Sequence, residues 1–234
     1  LRKVEPDSLD YEVRWAQVAR TLGISIRRQD GKRSHELFES SRAAFEEVLK
    51  HRPQDTTTNV QYAETCRVLG IYRLNHDIDG ALDIFNRGID ALNQALANEP
   101  TNLTFIDSLA TLYREIATYH AKKGEPRDRL AALSQARQLW ERVDGPIDFN
   151  NATLFGYAMV CYDEALLAER SKRIEFANER FLQARGLFER LLAHRGMNPR
   201  ARHALAHCLM IAGDQERSRG EASLAMATYQ SALT

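Results

Sequence analysis

The sequence predicts an all-α protein, a solenoid of about five antiparallel helix hairpins. Two observations lead to this prediction. Prolines recur about every 47 residues, at Pro6, Pro53, Pro100, Pro146 and Pro199, and a proline lacks the amide that a continuing helix requires. Between them, large apolar residues recur at the three- and four-residue spacing of amphipathic helices, and no segment shows the alternating pattern of a strand.

The first helix of each repeat carries an apolar stripe that aligns when the sequence is shifted by 47 residues. The aligned sets are Trp15, Tyr62 and Leu109; Val18, Thr65 and Leu112; Leu22, Leu69 and Ile116; and Gly23, Gly70 and Ala117. We expect the large residues to be buried. The small residue after them would let a neighbouring helix approach closely.

The second helix of each repeat shows the same alignment. Its sets are Phe38, Phe85 and Ala132; Phe45, Leu92 and Leu139; and Leu49, Leu96 and Val143. Each unit is therefore predicted to be a hairpin of two amphipathic helices of roughly 20 residues, or about 30 Å each.

Polar or glycine-containing breaks separate the two helices of the first three hairpins, at 27–33, 75–80 and 122–126. Short polar residues follow the repeat-boundary prolines and are predicted to cap the next helix. These residues are Asp7, Asp55, Asn102 and Asp148. The first helix of the fourth unit is predicted to run from about Asn151 to Lys172.

These boundaries divide a single solenoid over 1–234 into units of about 7–53, 54–100, 101–146, 147–199 and 200–234. The last unit is shorter than the others. We therefore expect the chain to end on an unpaired helix. Because the sequence starts at Leu1 without an initiator methionine and stops inside a helical pattern, we also expect it to be a piece of a larger protein.

Composition narrows the functional classes. Lys plus Arg and Asp plus Glu both number 32, so no overall field favours nucleic acid or a membrane surface. The longest apolar run, 155–162, is far short of the roughly 20 residues that span a bilayer. Three widely spaced cysteines, Cys66, Cys161 and Cys208, are predicted to be reduced core residues, which indicates a cytoplasmic location.

The last unit resembles the tetratricopeptide repeat (TPR) family. Its residues Leu209, Gly213, Gly220, Ala225, Tyr229, Ala232 and Leu233 reproduce the family's spacing of leucine, glycines, alanines and an aromatic. The second half of that pattern recurs in Ala177, Phe181 and Ala184 and in Ala81, Phe85 and Gly88. The first three units are about 13 residues longer than the family's usual period of about 34, and are similar to arrays beside bacterial protein kinase and other signalling domains.

This resemblance implies a right-handed superhelix whose first helices line a concave groove for partner proteins or peptides. The leading hypothesis is a non-catalytic interaction scaffold in a regulatory or signalling protein, without cofactors. The alternative is a self-association element of a larger enzyme, such as a bacterial protein kinase, acting through exposed solenoid ends.

An arginine ladder, Arg20, Arg67 and Arg114, repeats every 47 residues. By the resemblance it lies on the groove side and suits an acidic partner segment. The other hypothesis is that each arginine pairs with a glutamate of its own or the next hairpin. Further candidate groove residues are Gln17, Ile24, Glu64, Ile71, Thr111, Thr118, Met159, Tyr162, His207 and Met210.

Other site types are disfavoured. Ile24 and Val68 stand where some members of the family have residues of a carboxylate clamp. His203 and His207 are one helical turn apart, as in a two-histidine metal face, but have no evident third ligand on that face. The stretch 31–34 (GKRS) lacks the preceding strand and leading glycine of a phosphate-binding loop. No acid and base pair converges, so no catalytic or metal site is predicted.

Overall fold

The computed structural model describes residues 9–143, 150–193 and 198–233. Within these ranges the chain forms ten α-helices and one 3₁₀ turn (Ile78–Gly80), and it forms no strand. The helices are α1 (Leu9–Ile26), α2 (Gly31–His51), α3 (Thr56–His76), α4 (Ala81–Asn98), α5 (Leu103–Lys123), α6 (Pro126–Glu141), α7 (Asn151–Arg170), α8 (Ile174–Ala193), α9 (Pro199–Ser218) and α10 (Ala222–Ser231). The predicted boundary residues Pro6, Asp7, Pro146 and Asp148 lie outside the described residues.

The chain divides into two compact units, Leu1–Glu125 and Pro126–Thr234. In the first unit each of the helices α1 to α5 packs on the next, and α1, α3 and α5 also contact one another in turn. In the second unit each of the helices α6 to α10 packs on the next. The prediction of an all-α chain of successively packed helices is thus confirmed within each unit. The prediction that the last helix is unpaired is wrong, because α10 packs on α9.

Side-chain caps begin several helices. Asp55 accepts a hydrogen bond from the Thr58 amide and Asn102 accepts from the Thr104 amide, as predicted. Asn150 and Asn198 cap α7 and α9 in the same way, and neither was predicted. Each cap satisfies amides that the first helical turn leaves without a partner.

The predicted breaks between helices are also present. Asp30 caps α2 immediately before its first residue, Gly31. Gly124 follows α5 with a left-handed φ of 74°, a conformation that glycine adopts without steric cost, and Pro126 then begins α6. The chain therefore turns within the predicted breaks, although 31–33, predicted as part of the first break, already belong to α2.

Glycines on first helices face aromatic rings on second helices. A Cβ atom added at Gly23, Gly70 or Gly213 would lie under 3.0 Å from ring atoms of Phe38, Phe85 or Tyr229, respectively. Gly23 and Gly70 thus have the predicted role of letting the neighbouring helix approach closely.

The predicted stripe of first helices is buried in α3 and α5 but not in α1. Thr65 and Leu112 are buried, and the Thr65 hydroxyl lies 3.4 Å from that of Ser41 on α2. Val18 and Leu22, their counterparts on α1, are 61% and 48% exposed. The reason is that α3 and α5 each follow a helix that packs on them, whereas no earlier helix is described before α1.

The second-helix stripe is correct at Phe45 and Leu92, which are buried. It is wrong in the last turn, where Leu49 and Leu96 are only half-buried, while Val48 and Ala95 are fully buried. The buried face thus advances by three residues after Phe45 and Leu92, not by four, as a period of 3.6 residues allows.

The line of contact between α2 and α3, which we call the α2–α3 seam, contains three stacked rings and an ion pair. Tyr72 stacks between His35 and His76, with centroid distances of 4.7 and 4.3 Å. The Arg73 guanidinium donates to Glu39 at 2.7 Å. Burial alone would raise the pKa of Glu39, but hydrogen bonds from Arg73 and Arg42 lower it below its ordinary value.

The second unit contains a buried ion pair. The Glu164 side chain is fully buried, and its Oε2 accepts from Arg137 Nε at 2.8 Å, while Oε1 has no hydrogen-bond partner among the described residues. Burial raises the pKa of Glu164, and the charge of Arg137 opposes that rise. Removing Arg137 alone would leave a buried charge uncompensated, which is costly.

All three cysteines are free and buried, as predicted. Burial raises the pKa of Cys66 and of Cys208 to about 12 and raises that of Cys161 well above its usual range. These thiols therefore carry almost no thiolate at neutral pH. No helix in the described ranges is long and apolar enough to cross a membrane.

The glycine contacts make a testable prediction. Gly23→Ala should lower the free energy of unfolding by about 1 to 3 kcal/mol, because the new methyl group overlaps the buried Phe38 ring. Gly186→Ala is the matched control, since its Cβ would meet nothing within 4 Å, and it should raise stability by up to about 1 kcal/mol. Urea unfolding measures both, and equal effects in the two variants would contradict the packing described here.

Candidate partner-binding site

The three ladder arginines lie on successive helices of the first unit, Arg20 on α1, Arg67 on α3 and Arg114 on α5. Arg20 and Arg67 line a common cavity of about 150 Å³, which we call the lower cavity. Gln61 and Glu64 on α3 also line it. The structure therefore brings two ladder arginines together at one cavity, and Arg114 does not line it.

Arg20 reaches across from α1 to α3. Its Nη1 donates to the Gln61 backbone oxygen at 2.9 Å and its Nη2 donates to Gln61 Oε1 at 2.6 Å. Burial lowers the pKa of Arg20, the nearby Glu64 carboxylate opposes this shift, and the charge of Arg67 adds to it. The partner of Arg20 is thus an amide of the next hairpin, not the glutamate that the pairing hypothesis named.

Arg67 is held by a carboxylate of its own helix. Its Nε and Nη2 donate to the two oxygens of Glu64 at 2.8 and 2.7 Å. These hydrogen bonds raise the pKa of Arg67, and burial opposes the rise. A bidentate pair of this kind fixes the plane of the guanidinium, so Arg67 presents a fixed edge between two cavities.

Arg114 is the least engaged of the three. Its Nη2 lies 3.5 Å from Glu115 Oε1, at the limit of a hydrogen bond. Its side chain is about one-third exposed. The internal-pairing hypothesis thus describes Arg67 well and Arg114 only loosely.

A second cavity of about 360 Å³, which we call the upper cavity, shares the lining residue Arg67 with the lower cavity. Its lining includes the guanidinium groups of Arg27 and Arg67 and the polar rings of Tyr72 and His76. Phe38, Val68 and Ile71 supply apolar surface, so the predicted residue Ile71 lines this cavity. No acidic side chain is among the described residues that line this cavity.

The other candidates of the first unit lie outside both cavities, apart from Glu64 and Ile71. Gln17 and Thr111 are half-buried, and Thr118 is exposed with its hydroxyl donating to the Arg114 backbone oxygen at 3.2 Å. Ile24 is 37% exposed. Their roles in binding stay predictions.

In the second unit, two predicted residues meet. The hydroxyl of Tyr162 on α7 and Nδ1 of His207 on α9 are 3.0 Å apart, and both rings pack edge-on against Phe181 of α8. Met159 is half-buried and Met210 is 52% exposed. Tyr162 and His207 thus join three helices, which fits the core role considered for Tyr162 as well as a groove role.

Sequence reasoning missed the upper-cavity residues Arg27, Tyr72 and His76 and the acceptor Gln61. A pattern was available for Tyr72 and His76, two rings four residues apart on one helix. Gln61 gave no such pattern, because its contact with Arg20 joins two different helices.

The Arg20 contact gives a second prediction. Gln61→Leu should lower the free energy of unfolding by about 1 kcal/mol, because a partly buried guanidinium loses an acceptor. Gln61→Glu keeps an acceptor of the same shape and should stay within about 0.5 kcal/mol of the wild type. Urea unfolding of both variants measures the difference, and a Gln61→Leu protein as stable as Gln61→Glu would refute the importance of this contact.

No family model matches the chain, and no curated protein matches it. Several solved structures do. The chain is similar to BtubC (BKLC) from P. vanneervenii, with 13% identity, coverage of 96% of this chain and 89% of that one, and a TM-score of 0.46. It is also similar to the TPR-like repeats of a putative kinesin light chain from Podosopora anserina, with 12% identity, coverage of 95% of this chain and 94% of that one, and a TM-score of 0.39. A thermophilic TPR protein in Thermus thermophilus is similar too, with 20% identity, coverage of 93% of this chain and 90% of that one, and a TM-score of 0.37. The structures to which this chain is similar thus include TPR proteins.

Proposed function

We propose that this chain is a non-catalytic scaffold that binds an extended acidic segment of a partner protein on the α1, α3 and α5 layer of the first unit. Under this proposal it is a regulatory or signalling module of the cytoplasm. The proposal needs no cofactor, nucleic acid or membrane.

The upper cavity is the observation that carries the proposal. Arg27, Arg67 and His76 line it, and no acidic side chain is among its described lining residues. Arg67 is already paired with Glu64, so the charge offered to an entering carboxylate comes chiefly from Arg27. Phe38 and Ile71 offer apolar surface beside those donors. Such a combination of apolar surface and a few convergent polar groups is typical of ligand sites.

The lower cavity has a different role in this proposal. Arg20 is engaged by Gln61, and Arg67 is engaged by Glu64. A carboxylate there would meet Glu64 as well as the arginines. The lower cavity therefore accommodates an uncharged polar side chain, and preference for acidic residues arises at the upper cavity instead of uniformly along the ladder.

The cysteines support a non-catalytic protein in a reducing compartment. All three are free and buried, and their pKa values are raised by burial, which disfavours the thiolate that a nucleophile requires. The signalling role rests on the resemblance of the long repeats to arrays beside signalling domains.

Binding of a labelled peptide tests the proposal. A peptide in which Asp and Glu alternate with Leu should bind more tightly than its Asn and Gln counterpart, and Arg27→Ala should weaken binding by about tenfold, since one charge-assisted contact is lost. Arg27 is exposed and so is Arg14, which lines neither cavity, so Arg14→Ala is the matched control. Fluorescence anisotropy measures the affinities.

Three outcomes count against the proposal. The first is equal affinity of the wild-type chain for the acidic and neutral peptides. The second is an equal loss of affinity for the acidic peptide in Arg14→Ala and Arg27→Ala. The third is an affinity for that peptide that is unchanged in both variants. The first would remove the acidic partner, and the others would remove the upper cavity as its site.

Self-association is a second candidate, favoured by the exposure of Val18 and Leu22 on α1. The corresponding faces of α3 and α5 are covered by a preceding helix, so the α1 face suits a helix of a second copy. Sedimentation equilibrium should then show a concentration-dependent dimer that Leu22→Glu abolishes. A wild-type chain that stays monomeric at every concentration would exclude this candidate.

A further inference from the structure

The line of contact between α8 and α9 in the second unit, the α8–α9 seam, has a counterpart in the α2–α3 seam of the first. Phe38 precedes Gly70 by 32 residues, and Phe181 precedes Gly213 by the same 32. All four are buried, and both glycines face an aromatic ring of the following helix. Side chains at equal offsets from these residues can therefore be compared between the two seams.

Comparison at equal offsets shows that the α8–α9 seam lacks the three stacked rings of the α2–α3 seam. Asn178, Gln215 and Arg219 take the places of His35, Tyr72 and His76, the three stacked rings. A cavity of about 300 Å³ is lined by all three replacements and by apolar side chains. The apolar lining residues are Phe181, Leu182, Cys208, Ile211 and Ala212.

The ion pair of the α2–α3 seam is also absent. Leu182 stands at the offset of Glu39, and Glu216 stands at the offset of Arg73. Glu216 lines the cavity, and its Oε2 is buried without a hydrogen-bond partner among the described residues. A carboxylate oxygen in that situation favours a cation that can donate to it.

Two other charged residues of the lining, Arg185 and Glu179, are already engaged. Arg185 donates to Glu189 at 2.8 Å, and Glu179 pairs with Arg180. Arg219 is exposed at the rim, where water screens its charge. Glu216 is thus the acidic side chain of the lining whose buried oxygen meets no donor among the described residues.

We propose that the α8–α9 cavity binds an arginine side chain of a partner protein. The guanidinium would donate to the Glu216 carboxylate, and its methylene stem would lie on Leu182 and Ile211. A volume near the lower end of the range for ligand sites admits one side chain and not a folded segment. Arginine fits better than lysine because its guanidinium is planar. It could take the place that the stacked rings occupy in the α2–α3 seam and that no ring occupies here.

This site is independent of the proposed acidic-peptide site, which lies wholly in the first unit. The two can be tested separately in the full chain, since Glu216 and Arg27 belong to different units.

Titration by NMR tests the arginine site. The ligands are N-acetyl-arginine methylamide, its uncharged citrulline counterpart and N-acetyl-tyrosine methylamide. The arginine compound should shift the amide signals of Cys208, Ile211 and Gln215, and citrulline should bind at least about tenfold more weakly because it lacks the charge.

Two variants locate the site. Glu216→Gln keeps the side-chain size and should weaken arginine binding at least about tenfold. Gln215→Tyr introduces the tyrosine found at the same offset in α3 and should abolish binding by filling the cavity. Retained far-ultraviolet circular dichroism and an unchanged or raised melting temperature show that each variant is folded.

The proposal fails if the arginine compound causes no shifts at these amides. It also fails if tyrosine or citrulline binds as tightly as arginine, which would mean that the cavity takes any side chain of suitable size. Unchanged arginine affinity in folded Glu216→Gln would equally overturn it.

Discussion

Contact between a glycine on one helix and an aromatic ring on the next is the constraint on which the rest of this structure depends. At Gly23 the backbone of α1 lies so close to α2 that the Ser34 hydroxyl donates directly to the Gly23 carbonyl at 2.8 Å. Farther along the same pair, Ser41 donates to the Ala16 carbonyl at 2.8 Å. Close approach of two helices in this way fixes which faces remain for the neighbouring helix and which face water.

The candidate sites follow from that arrangement. Arg20 and Arg67 each lie three residues before such a glycine, so they occupy equivalent places on adjacent helices, and the cavities form around them. The same reasoning relates the α2–α3 and α8–α9 seams. The same 32-residue separation joins Phe38 to Gly70 and Phe181 to Gly213. Tyr72 stacks with His35 and His76 in the first seam, whereas Gln215 lines a cavity in the second. Small changes in side-chain volume thus convert packing into a binding site.

Sequence reasoning predicted what depends on local chemistry and periodicity. Asp55 and Asn102 cap helices as expected, and Gly70 lies close to a neighbouring helix as expected. It failed where burial depends on a neighbour, since Val18 has the same position in its repeat as the buried Thr65 but is exposed. It also failed for the partner of Arg20, because the choice of Gln61 over a glutamate depends on three-dimensional placement that residue spacing along the chain does not contain.

The most direct measurement of the central constraint is a double-mutant cycle between Gly70 and Phe85, followed by urea unfolding. Gly70→Ala should cost about 1 to 3 kcal/mol when Phe85 is present and far less in a Phe85→Leu background, because the smaller side chain makes room for the added methyl group. A cost of Gly70→Ala that is the same in both backgrounds would contradict the claim that this contact sets the helix spacing.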